Sequence, residues 1–179
     1  IHVHGGGDSD FMDEDASAFP TIAKAHCAHG TTALCPTTMT CADSLLEKTI
    51  DLFLEADKEP ENGAELLGLH LEGPYFSAAS KGAQPIGEQR IPERAKGSIL
   101  RWDAAPELPN MELFAKVMAE NGVLTSLAHS AATAPEALRA FDWGFSHVTH
   151  FYNACTTFHK KNGLVYSGIV EATYLRGDV

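Results

Sequence analysis

Five side chains in this 179-residue sequence have the types and placement to hold a metal ion. His2 and His4 stand two apart in Ile1-His2-Val3-His4, just before a run of three glycines. Alternate residues of a strand project from one face, so both imidazoles can converge on a single ion. Glu72 ends the apolar run Leu69-His70-Leu71-Glu72, where a carboxylate is costly to bury unless it is paired or bound. His129 closes a second apolar run in Leu127-Ala128-His129-Ser130, and His150 closes a third in His147-Val148-Thr149-His150. Imidazole nitrogen and carboxylate oxygen are ligands of borderline type, suited to Zn²⁺ or Fe²⁺. His26, His29 and His147 read as ordinary polar residues.

The elements that must position these groups are short apolar runs at residues 1–4, 31–36, 66–71, 98–105, 122–128 and 146–151. They are nearly continuous rather than alternating, which suits parallel strands covered on both faces. Helical patterns lie between them, at residues 13–29 and at 42–56 after the capping candidate Thr40. A third helix is predicted from Asn110, with Met111, Leu113, Phe114, Val117 and Met118 as its apolar stripe and Gly122 as its stop. A fourth starts at Thr133, with the capping-box spacing to Glu136 and Pro135 in the first turn. Residues 79–96, rich in Gly, Pro and Gln, read as a long functional loop with a helical turn at 92–96. Six strand–helix repeats predict an α/β fold with a parallel sheet, either an open doubly wound sheet or a (β/α)8 barrel. In a parallel barrel the active site forms where strands end, and the five candidate ligands sit at such ends. The lack of a G-x-G-x-x-G turn after the first run counts against a dinucleotide fold.

Composition narrows the classes further. The chain carries 13 basic and 24 acidic side chains, a formal charge of −11, and is 44% hydrophobic. It can therefore bury a core, unlike a disordered chain, and it offers no basic block to a nucleic-acid backbone. No apolar run reaches the roughly 18 residues of a membrane span, and the first residues do not resemble a signal peptide. Cys27, Cys35, Cys41 and Cys155 form no CxxC pair, which suggests reduced thiols and a cytoplasmic protein. The sequence opens at Ile1 inside a strand-like run and stops at Val179, so it reads as part of a longer protein.

Taken in order, H-x-H-G-G, H-L-E-G-P, A-H-S and T-H-x-x-N-A resemble the motifs of the N-acetylglucosamine-6-phosphate deacetylases, members of the amidohydrolase superfamily. The resemblance runs from Ile1 to about Leu175. It implies a partial (β/α)8 TIM barrel of about six βα units, with residues 1–179 forming a single incomplete catalytic domain. It implies one or two divalent ions, Zn or Fe. Glu72, His129 and His150 match the family's principal ligands, and His2 and His4 match a pair that supports a second ion in some members. Asn153 and the backbone at Ala154 match the loop that receives the sugar phosphate. Lys161 stands where many members have a phosphate-contacting arginine, often supplied by the neighbouring subunit of a dimer. Lysine keeps the charge but not the bidentate geometry. Gln84 stands where some members place a substrate-contacting histidine.

The implied reaction is hydrolysis of the acetamide of N-acetylglucosamine 6-phosphate to glucosamine 6-phosphate and acetate. The family's catalytic aspartate, and a further substrate histidine, are expected beyond Val179, so the chain by itself is expected to be inactive. Rival expectations are an amidohydrolase for a cyclic amide or another amino sugar, and a metal-binding fragment without catalysis.

Overall fold

The computed structural model describes residues 1–77 and 93–179. Gln84 and most of the 79–96 loop lie outside the described residues, and the helical turn expected at 92–96 is a 3-10 turn at Glu93–Ala95. The chain divides into two compact units, residues 1–72 with 93–100 and residues 73–77 with 101–179.

In the first unit the glycine run does not simply end a strand. It makes a hairpin, β1 (Gly5–Gly6) against β2 (Ser9–Asp10), over Gly7 and Asp8 at φ +61° and +60°. Positive φ at both central residues is the type I′ turn, whose twist matches that of the paired strands. A Cβ on Gly5 would collide with the Ser9 carbonyl, so the close crossing requires glycine there. The predicted strand at residues 1–4 is reduced to a single parallel bridge between Val3 and Pro36. It is secured by the Val3 N–H donating to Thr37 Oγ1 at 2.9 Å and the Thr37 N–H to the Val3 carbonyl at 2.9 Å.

Helix α1 (Ala18–Cys27) starts later than the periodicity predicts. The Asp13 carboxylate accepts from the Asp10 N–H, and the Asp15 carboxylate accepts from the Ser17 N–H, both at 2.8 Å. Short acidic side chains thus offer the backbone a turn in place of a helix. The bond from Ser17 also holds the Asp15 carboxyl below its usual range. Strands β3 (Ala33–Leu34) and β4 (Thr37–Thr38) pair in parallel with β5 (Glu65–Leu66) and β6 (Leu69–Glu72) respectively. Between them α2 (Asp43–Glu55) begins after Ala42, so Thr40 does not cap it. Phe19 packs between Phe11 and Phe53, at ring centroid distances of 5.2 and 6.1 Å, and anchors this unit's core with Ile22, Leu34, Leu69 and Leu71.

In the second unit β7 (Ile99–Ala104), which enters it at Arg101, runs parallel with β8 (Leu124–Leu127) and β9 (His147–Val148), with Asp103 opposite Ser126 and Ser126 opposite His147. Helix α3 (Met111–Glu120) buries Met111, Phe114 and Met118, while Leu113 from the predicted stripe is 58% exposed. Asn110 precedes it at φ +64° without a side-chain cap. Helix α4 (Ala134–Asp142) starts as predicted, with the Thr133 N–H donating to Glu136 Oε2 at 2.6 Å. Beyond β9 the structure has three elements that the periodicity did not predict. Strands β10 (His159–Lys161) and β11 (Leu164–Tyr166) form a hairpin over Asn162-Gly163, and α5 (Ile169–Arg176) follows. Trp102, Phe114 and Phe145 fill this core, and the Trp102 indole donates to the Gly73 carbonyl at 2.9 Å. No helix of the described residues is long and apolar enough to cross a membrane.

Candidate metal centre

In the first unit, His2 and His4 flank the Val3 bridge, and Glu72 ends β6, whose neighbour is β4. The i, i+2 spacing turns both rings to the same side, where they meet the Glu72 carboxylate. His2 Nε2 lies 3.1 Å from His4 Nε2, and Glu72 Oε2 lies 3.6 and 3.1 Å from the two nitrogens. Ligand atoms bonded tetrahedrally to one ion at about 2.1 Å stand roughly 3.4 Å apart. Two neutral imidazoles and one carboxylate, so spaced, fit a divalent ion. Glu72 is 6% exposed, so its charge needs these partners.

The surrounding backbone sets which nitrogen faces the centre. A carbonyl only accepts, so at 3.1 Å from the Thr37 carbonyl His4 Nδ1 carries a proton. His4 therefore turns the lone pair of Nε2 toward Glu72 and a shared ion. Without an ion a proton takes that place. The hydrogen bond to Glu72 raises the His4 pKa above the ordinary histidine value, burial opposes this, and the Glu72 charge adds to it. His70, buried on β6, packs edge-on against His2 with ring centroids 5.0 Å apart. His26, on α1, donates through Nε2 to the Gly5 carbonyl at 3.0 Å and so braces the glycine hairpin beside His4.

The second unit holds a matching imidazole pair. His129 follows β8 and His150 follows β9, both on left-handed backbone at φ +46° and +34°. Their Nε2 atoms are 3.0 Å apart. His150 Nδ1 is 2.8 Å from the Asn153 carbonyl and donates to it, so the lone pair of Nε2 faces His129. The His129 ring stacks on Phe76 at 4.4 Å, and its carbonyl accepts from the Ser77 N–H at 3.1 Å. Just before His150, Thr149 donates to the fully buried Asp103 carboxylate and pairs with Ser126 Oγ, each at 2.8 Å.

The structure thus gathers His2, His4 and Glu72 in one unit and His129 with His150 in the other. Asn153 is exposed and holds His150 through its backbone, its own N–H donating to the His150 carbonyl at 2.8 Å. Ala154 sits at φ +51°, and its carbonyl accepts from the Ser130 N–H at 3.1 Å. Lys161 lies in β10 opposite Leu164. Sequence reasoning missed the orienting carbonyls of Thr37 and Asn153 and the stacking ring of Phe76. Backbone carbonyls leave no mark on residue identity, whereas Phe76 lies four residues after Glu72 within the same motif region.

No protein-family model matches the chain. An N-acetylglucosamine-6-phosphate deacetylase from Lysinibacillus sphaericus is 30% identical over 197 residues, covering 100% of this chain and 49% of its own length. An N-acetylgalactosamine-6-phosphate deacetylase from Escherichia coli O157:H7 is 32% identical, covering 95% of this chain and 48% of its own. The crystal structure of N-acetylglucosamine-6-phosphate deacetylase from Pasteurella multocida matches 97% of this chain and 46% of that one, with a TM-score of 0.78 at 28% identity. The chain spans about half the length of the curated relatives it matches. The fold is α/β, part of a (β/α)8 barrel of the amidohydrolase type. Motif order, fold and the paired imidazoles agree, and over its whole length the chain is homologous to about half of the curated N-acetylglucosamine-6-phosphate deacetylases it matches.

Proposed function

We propose that this chain is part of a metal-dependent deacetylase that hydrolyses the acetamide of N-acetylglucosamine 6-phosphate to glucosamine 6-phosphate and acetate. The observation that carries the reading is the convergence of His2, His4 and Glu72 at ligand-like spacing, with His4 fixed in the tautomer a metal needs. The names of the relatives support the substrate class. Residues 1–179 form one incomplete catalytic domain, cytoplasmic, which dimerises in the full-length protein. On the family motif, Glu72, His129 and His150 are the principal ligands of a Zn or Fe ion, and His2 and His4 serve a second ion.

A divalent ion held by these groups supplies Lewis acidity toward water and the acetamide carbonyl. The remaining work falls to the protein. The carbonyls of Thr37 and Asn153 keep a proton on Nδ1 of His4 and His150, so each ring presents its other nitrogen. The Asn153-Ala154 loop and the Lys161 ammonium receive the 6-phosphate, and Gln84 donates a hydrogen bond to the sugar. The general base is an aspartate C-terminal to Val179, which takes the water proton and returns it to the departing amine.

A second reading has a specific observation behind it, since the 32% identical relative is named for the galacto epimer. The test is acetate release by the zinc-loaded full-length protein from N-acetylglucosamine 6-phosphate, its galacto epimer and the unphosphorylated sugar. The expected outcome is highest kcat/KM on N-acetylglucosamine 6-phosphate. Lys161→Ala should raise KM for that substrate far more than for the unphosphorylated sugar, by about 1.5–3 kcal/mol of charge-assisted contact. Preference for the galacto epimer would reassign the substrate. Equal effects of Lys161→Ala on both sugars would remove Lys161 from the phosphate site.

A further inference from the structure

We propose that Glu107 is a positioning residue for the His129–His150 pair, a role that rests on the metal-binding reading above. Glu107 follows β7 in Asp103-Ala104-Ala105-Pro106-Glu107, well separated in sequence from both histidines. Its carboxylate spans the residues directly after His129. Oε2 accepts from the Ser130 hydroxyl at 2.6 Å and Oε1 from the Ala131 N–H at 2.7 Å. The same Ser130 hydroxyl accepts from the Ala132 N–H at 3.0 Å, so one carboxylate organises three consecutive residues.

The clamp extends to the second imidazole through Ser130. The Ser130 N–H donates to the Ala154 carbonyl at 3.1 Å, and Ser130 forms a parallel bridge with Cys155. Ala154 adjoins Asn153, whose carbonyl fixes His150 Nδ1 at 2.8 Å. A continuous path of hydrogen bonds therefore runs from Glu107 through Ser130 and the 153–154 backbone to His150. His129, which directly precedes Ser130, and His150, at the far end of the path, carry the nitrogens that face each other at 3.0 Å. Both histidines sit on left-handed backbone, which for these residues persists only where neighbouring contacts fix it. Glu107 supplies that constraint without touching either ring. Charge-assisted bonds from a carboxylate to N–H and O–H groups are short and strong, which suits a part that must hold two loops in register.

The experiment measures Zn²⁺ affinity by chelator competition and the visible spectrum of the Co²⁺ form, on the full-length protein and its variants. Glu107→Ala is expected to lose about 10–100-fold in metal affinity, the usual cost of removing an outer partner of a metal ligand. Its Co²⁺ bands should shift or weaken. Glu107→Gln should recover most of the loss, because its amide oxygen can accept from Ala131 while its NH₂ donates to Ser130. Ser130→Ala, which keeps the Ala131 bond, should fall between wild type and Glu107→Ala. This variant reads the same path should Glu107→Ala fail to fold. Met118→Ala is the control, since it opens a cavity in the α3 core and should lower Tm while leaving metal affinity unchanged.

Wild-type affinity and an unshifted Co²⁺ spectrum in a folded Glu107→Ala or in Ser130→Ala would overturn the positioning role. An equal affinity loss in Met118→Ala would overturn it too, by tracing the effect to general instability. A wild-type protein that binds neither ion would overturn the metal reading itself, and this role with it.

Discussion

At the scale of single residues, the candidate centre combines two devices, a backbone carbonyl that fixes the ring of His4 and of His150, and left-handed backbone that carries His129 and His150. His129, His150, Tyr152 and Ala154 all adopt positive φ, at +46°, +34°, +74° and +51°. Outside glycine such conformations cost of order 1–3 kcal/mol each and concentrate at functional sites. Here they fall in the two turns that carry imidazoles. The His4–Glu72 contact has a consequence in solution. Its hydrogen bond raises the folded-state pKa of His4 above the unfolded value of 6.5, against the opposing effect of burial. In metal-free protein the contribution is fully present below that unfolded value and is lost as pH rises through the folded one. An ion competes with the proton for the same nitrogen, so its effect runs the other way. Thermal melts should therefore show a zinc-induced rise in Tm that grows as pH rises above the unfolded value of 6.5. In chelator, the wild type should lose stability relative to Glu72→Gln over the same rise in pH. Parallel pH profiles for the two proteins would show that the His4–Glu72 bond does not form in solution.

At the scale of elements, α3 gives the most direct check on packing. Phe114 is fully buried between Tyr75, Trp102 and Phe145, at ring centroid distances of 5.8, 5.9 and 6.2 Å. Truncation to alanine removes those contacts and leaves a cavity, so Phe114→Ala should cost about 3–5 kcal/mol in chemical denaturation. Leu113, next to it and 58% exposed, should change stability by less than about 0.5 kcal/mol as alanine. Equal losses at the two positions would mean that α3 is rotated about its axis. The same helix shows what the sequence made legible and what it did not. Periodicity located α3 and its buried Met111, Phe114 and Met118, yet Leu113 and Val117 in the same apolar pattern remained outside the buried face. Thr133 and Glu136 announced α4 because a capping box is a local bond. The acids at 10–15 delayed α1 by binding turn N–H groups, which hydrophobic periodicity does not register. Asn162-Gly163 carried a hairpin signal, but its flanking strands expose Leu164 and Val165 and so lack an alternating buried pattern. The candidate ligands were legible from strand-end spacing. Glu107 was not, because its partners at 130 and 131 lie across a long sequence separation and only the fold brings them near.

At the scale of the whole molecule, the proposed ligands and the proposed catalytic base fall in different stretches of sequence. The first unit alone presents two imidazoles and a carboxylate at 3.1–3.6 Å, enough to hold an ion. Catalysis also requires a group to take the proton from water, and the proposed base lies C-terminal to Val179. None of Asp10, Asp13 or Asp15 substitutes for it, because Asp10 and Asp15 accept turn N–H bonds and Asp13 accepts from Asp10. A missing general base typically lowers the rate by about 10²–10⁴. The 179-residue chain, purified with zinc, is therefore expected to bind metal in chelator competition and yet to release acetate from N-acetylglucosamine 6-phosphate at least about 10²-fold more slowly than the full-length protein. The two measurements separate the functions, since binding reports the ligands and turnover reports the base. Turnover by the short chain within about tenfold of the full-length protein would place the base among residues 1–179 and refute its assignment to the region beyond them.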